Sequence, residues 1–179
     1  MLLHIFKKLS ILNLAIVFFF IACEDFLEPE TPLDQMEQDN VFANETTATA
    51  AVTTLYGKLR DGGFLNGSFS GNGFLFGLYA DELDYHSFPG SPPEPFYLHQ
   101  VLPTSSALTD VWNTPYNIVY SANAILEGIE TATALPEELK RQLRGEALFV
   151  RGFCHFHLVN VFGDVPYIKT TDYTANATI

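Results

Sequence analysis

The chain is 179 residues long, 47% apolar and 17% charged, which places it among globular sequences of about one domain and excludes a disordered chain. Its 21 acidic side chains against nine basic ones leave a formal charge of −12 with no basic stripe to offset it, so nucleic acid is a poor partner. Two cysteines, Cys23 and Cys154, are too few for a disulfide scaffold, while 16 Phe, eight Tyr and one Trp demand either a large core or an aromatic binding surface.

The chain opens with Lys7 and Lys8 ahead of an apolar run from Leu9 to Ala22. That run is shorter than the ~20 residues of a spanning helix, and its basic flank suits a secretory signal over residues 1–22. It ends Phe20-Ile21-Ala22-Cys23, which resembles a bacterial lipobox, with Phe20 in place of the usual Leu. An ordinary signal peptide or an uncleaved anchor is the alternative. A lipidated Cys23 is favoured because several acyl chains, at ~0.8 kcal/mol for each buried methylene, hold a protein where one chain does not. Residues 23–43 then read as an acidic tether, with Pro29, Pro32 and seven acids between residues 24 and 40.

From Asn44 the pattern becomes helical. Ala48, Val52, Leu55 or Tyr56, and Leu59 share one face; Asn44 is a candidate N-cap and Gly62-Gly63 a stop, which predicts a helix near 45–60. Residues 61–105 show no sustained period and are rich in glycine, proline and aromatic rings, so they read as one long structured loop region. Val111, Ile118, Ala122, Ile125 and Ile129 predict a second helix over about 109–130, with Pro115 in its first turns or kinking it. Pro136 is placed as a first helical residue, and Glu137 and Glu138 suit the positive end of a helix dipole. In the third helix Leu143, Ala147, Val150, Cys154, Leu158 and Val161 form one apolar face and Phe149, Phe153 and Phe156 a second, up to a stop at Gly163–Pro166. A short connector makes helices two and three an antiparallel hairpin, and two apolar faces imply packing on both sides, as in a stacked helical array.

The segment LRGEALFVRGFCHFHLVNVFGDVPY from Leu143 to Tyr167 resembles the signature of the SusD/RagB outer-membrane lipoproteins of Bacteroidetes. The start at Cys23-Glu24-Asp25, the stretch from Asn40 through Tyr56, and Trp112 to Asn123 are similar to that family in the same order. The resemblance implies a mainly α, tetratricopeptide-type helical hairpin array. It also implies a lid on a SusC-like TonB-dependent barrel that captures oligosaccharides or peptides, anchored by lipid at the outer membrane and facing the cell exterior. Such proteins are about three times this long, so residues 44–179 correspond to an N-terminal part. On that reading Phe149, Phe153 and Phe156 point toward a further helix, and the 179-residue chain is expected to be marginally stable with these rings partly uncovered.

Glycan capture needs ring faces for the apolar side of a sugar and carboxylates for its hydroxyls. The stretch Leu78–Phe88 offers Tyr79 and Tyr85 with Asp81 and Glu82, and these four are the candidate ligand residues. The alternative is that the rings simply pack the loop onto its domain and that Asp81, Glu82 and Asp84 form a solvated turn. His155 and His157, two apart on a helix, point about 200° apart and do not chelate a metal together. Cys154 is expected in the core, and Glu146 and Arg151 as structural ties. No catalytic, metal or cofactor constellation stands out. A ligandless tetratricopeptide-like scaffold or fragment is the rival function, with a hydrolase fragment behind it.

Overall fold

The structure is a computed structural model that describes residues 38–62 and 68–179; the signal, lipidation and most of the tether expected over residues 1–37 lie outside the described residues. The unit from Gln38 to Ile179 is mainly helical, and no strand occurs among the described residues. In chain order the helices are α1 (Gln38–Val41), α2 (Glu45–Asp61), α3 (Asn72–Tyr79), α4 (Glu94–Tyr97), α5 (Ser106–Thr131), α6 (Glu137–Phe162) and α7 (Tyr173–Asn176).

Helix α2 starts where its cap requires: the Asn44 side chain accepts the Thr47 N–H at 3.0 Å, which satisfies one of the first-turn donors. Its face of Ala48, Val52, Leu55 and Leu59 is buried, whereas Tyr56 is left partly exposed. The folded unit begins earlier than Asn44, because Phe42 is 6% exposed, and its ring lies so close to α5 that a Cβ on Gly128 would stand 2.1 Å from it. The chain from Gln38 is therefore part of the folded unit, and the tether expected through residue 43 is shorter at that end.

Helices α5 and α6 form the hairpin and pack most extensively on one another, with α2 lying against both. Their shared core runs from Val52 and Leu55 through Ile118, Ala122 and Ile125 to Leu143, Ala147, Val150 and Cys154. Helix α5 begins three residues before the expected start and carries Pro115 well inside it, fully buried. Proline removes one backbone donor there, so α5 runs on through a missing bond in its buried stretch. Pro136 occupies the N-cap of α6, one place before the expected first helical position, with Glu137 and Glu138 in the first turn. Gly163 closes α6 at φ 77°, a left-handed conformation that a side chain would strain.

The expected loop over 61–105 is corrected by α3 and α4. Helix α3, NGFLFGLY, is apolar around its circumference and interrupted by Gly73 and Gly77, so no amphipathic period betrays it. Leu75, Leu78 and Phe96 join Ala107 and Val111 of α5 in a second, smaller core. Beyond α6, residues 164–176 run back across α5 and α6 as a strap that ends in α7. Among the described residues no helix is long and apolar enough to cross a membrane.

Candidate functional site

Two turns of the small core end in the same way. After α3 the Asp81 N–H reaches Leu78 O at 3.3 Å and the Glu82 N–H reaches Gly77 O at 2.9 Å. After α4 the His99 N–H reaches Phe96 O at 3.2 Å and the Gln100 N–H reaches Pro95 O at 2.8 Å. These are paired Schellman caps, whose central residue takes a left-handed backbone and is usually glycine. Here it is Asp81 at φ 59° and His99 at φ 53°, the only non-glycine positive φ values among the described residues. The left-handed region costs a side chain about 1–2 kcal/mol, so two polar residues sit where the backbone alone would favour glycine.

The twin caps meet. His99 Nε2 lies 2.8 Å from Tyr79 O and 3.7 Å from Asp81 Oδ1, and its ring stands edge-on to that of Tyr79 at 4.9 Å. Tyr79 is 48% exposed, and the carboxylate of Asp81 projects into solvent. The result is an open platform of a tyrosine ring, a carboxylate and an imidazole, fixed by backbone geometry on the ends of two helices. Such a set offers one flat apolar face and several hydrogen-bonding atoms.

Of the four candidate residues, the structure brings Tyr79 and Asp81 together and leaves Glu82 exposed beside them. Tyr85 is drawn inward: its hydroxyl hydrogen-bonds Ser91 Oγ, and its ring lies 6.2 Å from both Phe69 and Tyr97. Its ring therefore fastens the loop, as the packing alternative expects. His99 escaped the sequence reading because it lies 18 residues from Asp81 with no period to relate them. The signal that could have found it is the polar residue following a short apolar helix, at the place of a glycine cap.

The remaining chemistry-bearing residues have structural surroundings. Cys154 is fully buried, and burial pushes its thiol up to about 12, which leaves it unreactive. His157 faces Phe153 at 4.6 Å, and burial holds it below the usual histidine value. Arg151 donates to Asn123 Oδ1 at 2.9 Å, whereas Glu146 accepts from Gln142 at 2.9 Å and, being close to the Tyr56 hydroxyl, adds to the upward push that burial gives that phenol. Trp112 clamps the two ends of the hairpin, edge-on to Phe162 at 4.9 Å. Among the described residues no group of three His, Cys, Asp or Glu side chains is placed to hold a metal. A concavity of about 570 Å³ between α2 and α5, lined by Lys58, Asp61, Thr114 and Asn117 among others, has no aromatic ring among its described lining residues, and Lys58 there is tied to Ser121 at 2.7 Å.

Residues 88–179 match a family model described as SusD-like, starch-binding and associating with the outer membrane. The SusD-like protein P25 of Formosa agariphila is 28% identical over 161 residues, covering 85% of this chain and 29% of that protein. A SusD-like protein of Bacteroides ovatus is 24% identical over 170 residues, covering 93% of this chain and 30% of the relative. The chain thus spans less than a third of the length of these relatives. No solved structure matches significantly.

Proposed function

Because the chain belongs to the SusD-like family, we propose that it works as part of an outer-membrane glycan-capture lipoprotein, with the Tyr79–Asp81–His99 platform contributing to ligand contact. The observation that carries this reading is the exposed Tyr79 ring held beside the Asp81 carboxylate by twin helix caps. A pyranose laid on the ring would cover its apolar face, while the carboxylate accepts from adjacent hydroxyls. Stacking and charge-assisted hydrogen bonds are worth about 1–3 kcal/mol each at sites of this kind. The role is binding, not turnover, and peptides are the other ligand class in view.

Cys23 is the proposed lipid attachment point after cleavage at Ala22, and a SusC-like TonB-dependent barrel is the proposed partner on the outer face of the outer membrane. A fatty-acid probe should label the wild type and not Cys23→Ala; equal labelling of both removes the anchor from the account. Co-purification with a barrel in mild detergent tests the pairing.

The direct test of capture is a glycan array followed by calorimetry on the intact protein. Oligosaccharide binding that weakens about tenfold in Tyr79→Ala supports the proposal, in line with the loss of one stacked ring. The rival scaffold reading rests on Phe149 and Phe156, each 60% exposed on α6. A barrel that co-purifies with a protein binding neither glycan nor peptide would favour it, and measurable glycoside hydrolysis would replace both.

A further inference from the structure

We propose that residues 164–176 form a pH-sensitive latch, closed across α5 and α6 while His155 is neutral and Glu127 is ionised, and released from the His155 end as the pH falls. The strap carries little apolar anchoring: Ile168 is its one side chain packed against the main core. What holds it is a row of hydrogen bonds from helix side chains to its backbone. Tyr116 donates to Pro166 O at 2.9 Å, and Asn123, which is fully buried, donates to Ile168 O and Thr170 O at 3.4 Å each. Arg151 donates to Lys169 O at 3.4 Å while holding Asn123 Oδ1.

His155 is the titratable member at one end. It is 7% exposed, and both ring nitrogens are engaged by backbone groups whose roles are fixed: Nδ1 faces Arg151 O at 2.9 Å and must donate, and Nε2 receives the Ile168 N–H at 3.2 Å and must accept. Only the neutral imidazole protonated at Nδ1 satisfies both. A proton on Nε2 would set two N–H groups against each other, so the charged ring and the closed strap exclude one another. The groups around the ring are Arg151 on its own helix, Tyr116 from α5, edge-on at 6.2 Å, and Tyr167 from the strap at 4.6 Å, with Asp164 lining the same groove. The Ile168 N–H aimed at Nε2 decides which ring state the closed strap accepts.

Glu127 holds the far end. Its carboxylate accepts the Thr171 N–H at 2.8 Å and the hydroxyls of Thr170 and Thr171 at 2.9 and 2.5 Å. Burial alone would raise this carboxyl, but the bonds from Thr171 and Thr170 outweigh it, and the nearby Asp172 charge, and hold it below its usual value. A depressed carboxyl contributes stability above its unfolded pKa and loses it as the pH falls through the lower folded value. Imidazole is a stronger base than carboxylate, so as the pH falls protonation releases the His155 end before the Glu127 end. Opening bares Asn123 and removes the Val165–Tyr167 wall from the groove beside Phe156 and Val159, so the outer face of α6 changes with it.

The experiment is amide hydrogen exchange by NMR on the intact protein, corrected for intrinsic rates. As the pH is lowered from neutrality the protection of Ile168 should fall about tenfold or more before that of Thr171 changes, while the core amides of Ala122 and Val150 keep theirs. His155→Gln, which retains an acceptor but does not titrate, should abolish the Ile168 step. In the wild type the step should share its midpoint with the His155 ring-proton shift, a readout independent of how the variant folds. A flat Ile168 profile, a midpoint that differs from that of His155, or loss of Ile168 and Ala122 protection together would overturn the latch.

Discussion

The two cores of this molecule are built by different means. The larger joins α2, α5 and α6 through apolar stripes that recur every three or four residues, so its stability comes from long helices packed along their lengths. The smaller, around Leu75, Leu78 and Phe96, is built from an eight-residue helix, a single turn and ring contacts such as Phe76 on Phe96 at 6.1 Å. The first supplies rigidity, and the second carries the left-handed polar residues and the exposed ring. Strain is tolerated where a separate core supports it.

The sharpest contrast is between two buried leucines. Leu55→Ala, in the large core, should cost about 2–5 kcal/mol and shift denaturant unfolding at every probe, because a cavity there loosens all three helices. Leu75→Ala, equally buried, should lower hydrogen-exchange protection mainly over α3 and α4. Equal loss of α5 and α6 protection in both variants would merge the two cores into one.

A smaller effect is expected where Phe42, just after α1, meets α5. Gly128→Ala places a methyl group against the Phe42 ring and should cost about 1–3 kcal/mol, measured by thermal unfolding. Adding Phe42→Ala should then cost less than it does in the wild type, since each change removes the reason for the other. Strict additivity would show that Phe42 does not lie on Gly128.

The large core was legible in the sequence because its evidence is periodic. Asn44, the Val52–Leu59 face, and the stripe from Leu143 to Leu158 each announce themselves by residue type and spacing, and the observed ends of α2 and α6 fall within a residue or two of those expected. The small core was not. Gly73 and Gly77 hide α3 inside an apolar run, just as Phe42, in the large core, hides beside an acidic stretch. The His99–Asp81 approach depends on two caps folding alike. The strap is still less legible, since Asn123, Arg151 and His155 bind its backbone and leave its side chains little to record. Of the four candidate residues, Tyr79, Asp81 and Glu82 stay together at the end of α3, Tyr85 packs inward as the packing alternative expects, and His99 was not among them.

Asn44→Ala should cost about 1 kcal/mol through the lost cap, read by chemical denaturation; no change would mean that α2 is held by packing alone. Asp81→Gly should act in the opposite direction. It relieves a left-handed side chain and should stabilise the protein by up to about 1 kcal/mol while weakening ligand binding, which separates backbone strain from side-chain function at one position. A loss of both stability and binding would mean that the Asp81–His99 contact is holding the caps together.

The central claim is that the strained small core, and not the helical face of α6, carries the ligand contact. NMR titration of the intact protein with an oligosaccharide chosen from the glycan array tests it most directly. The account predicts shift changes concentrated on Tyr79, Asp81 and His99, with Phe149 and Phe156 unmoved. Changes confined to α6, with the twin caps silent at saturation, would contradict it.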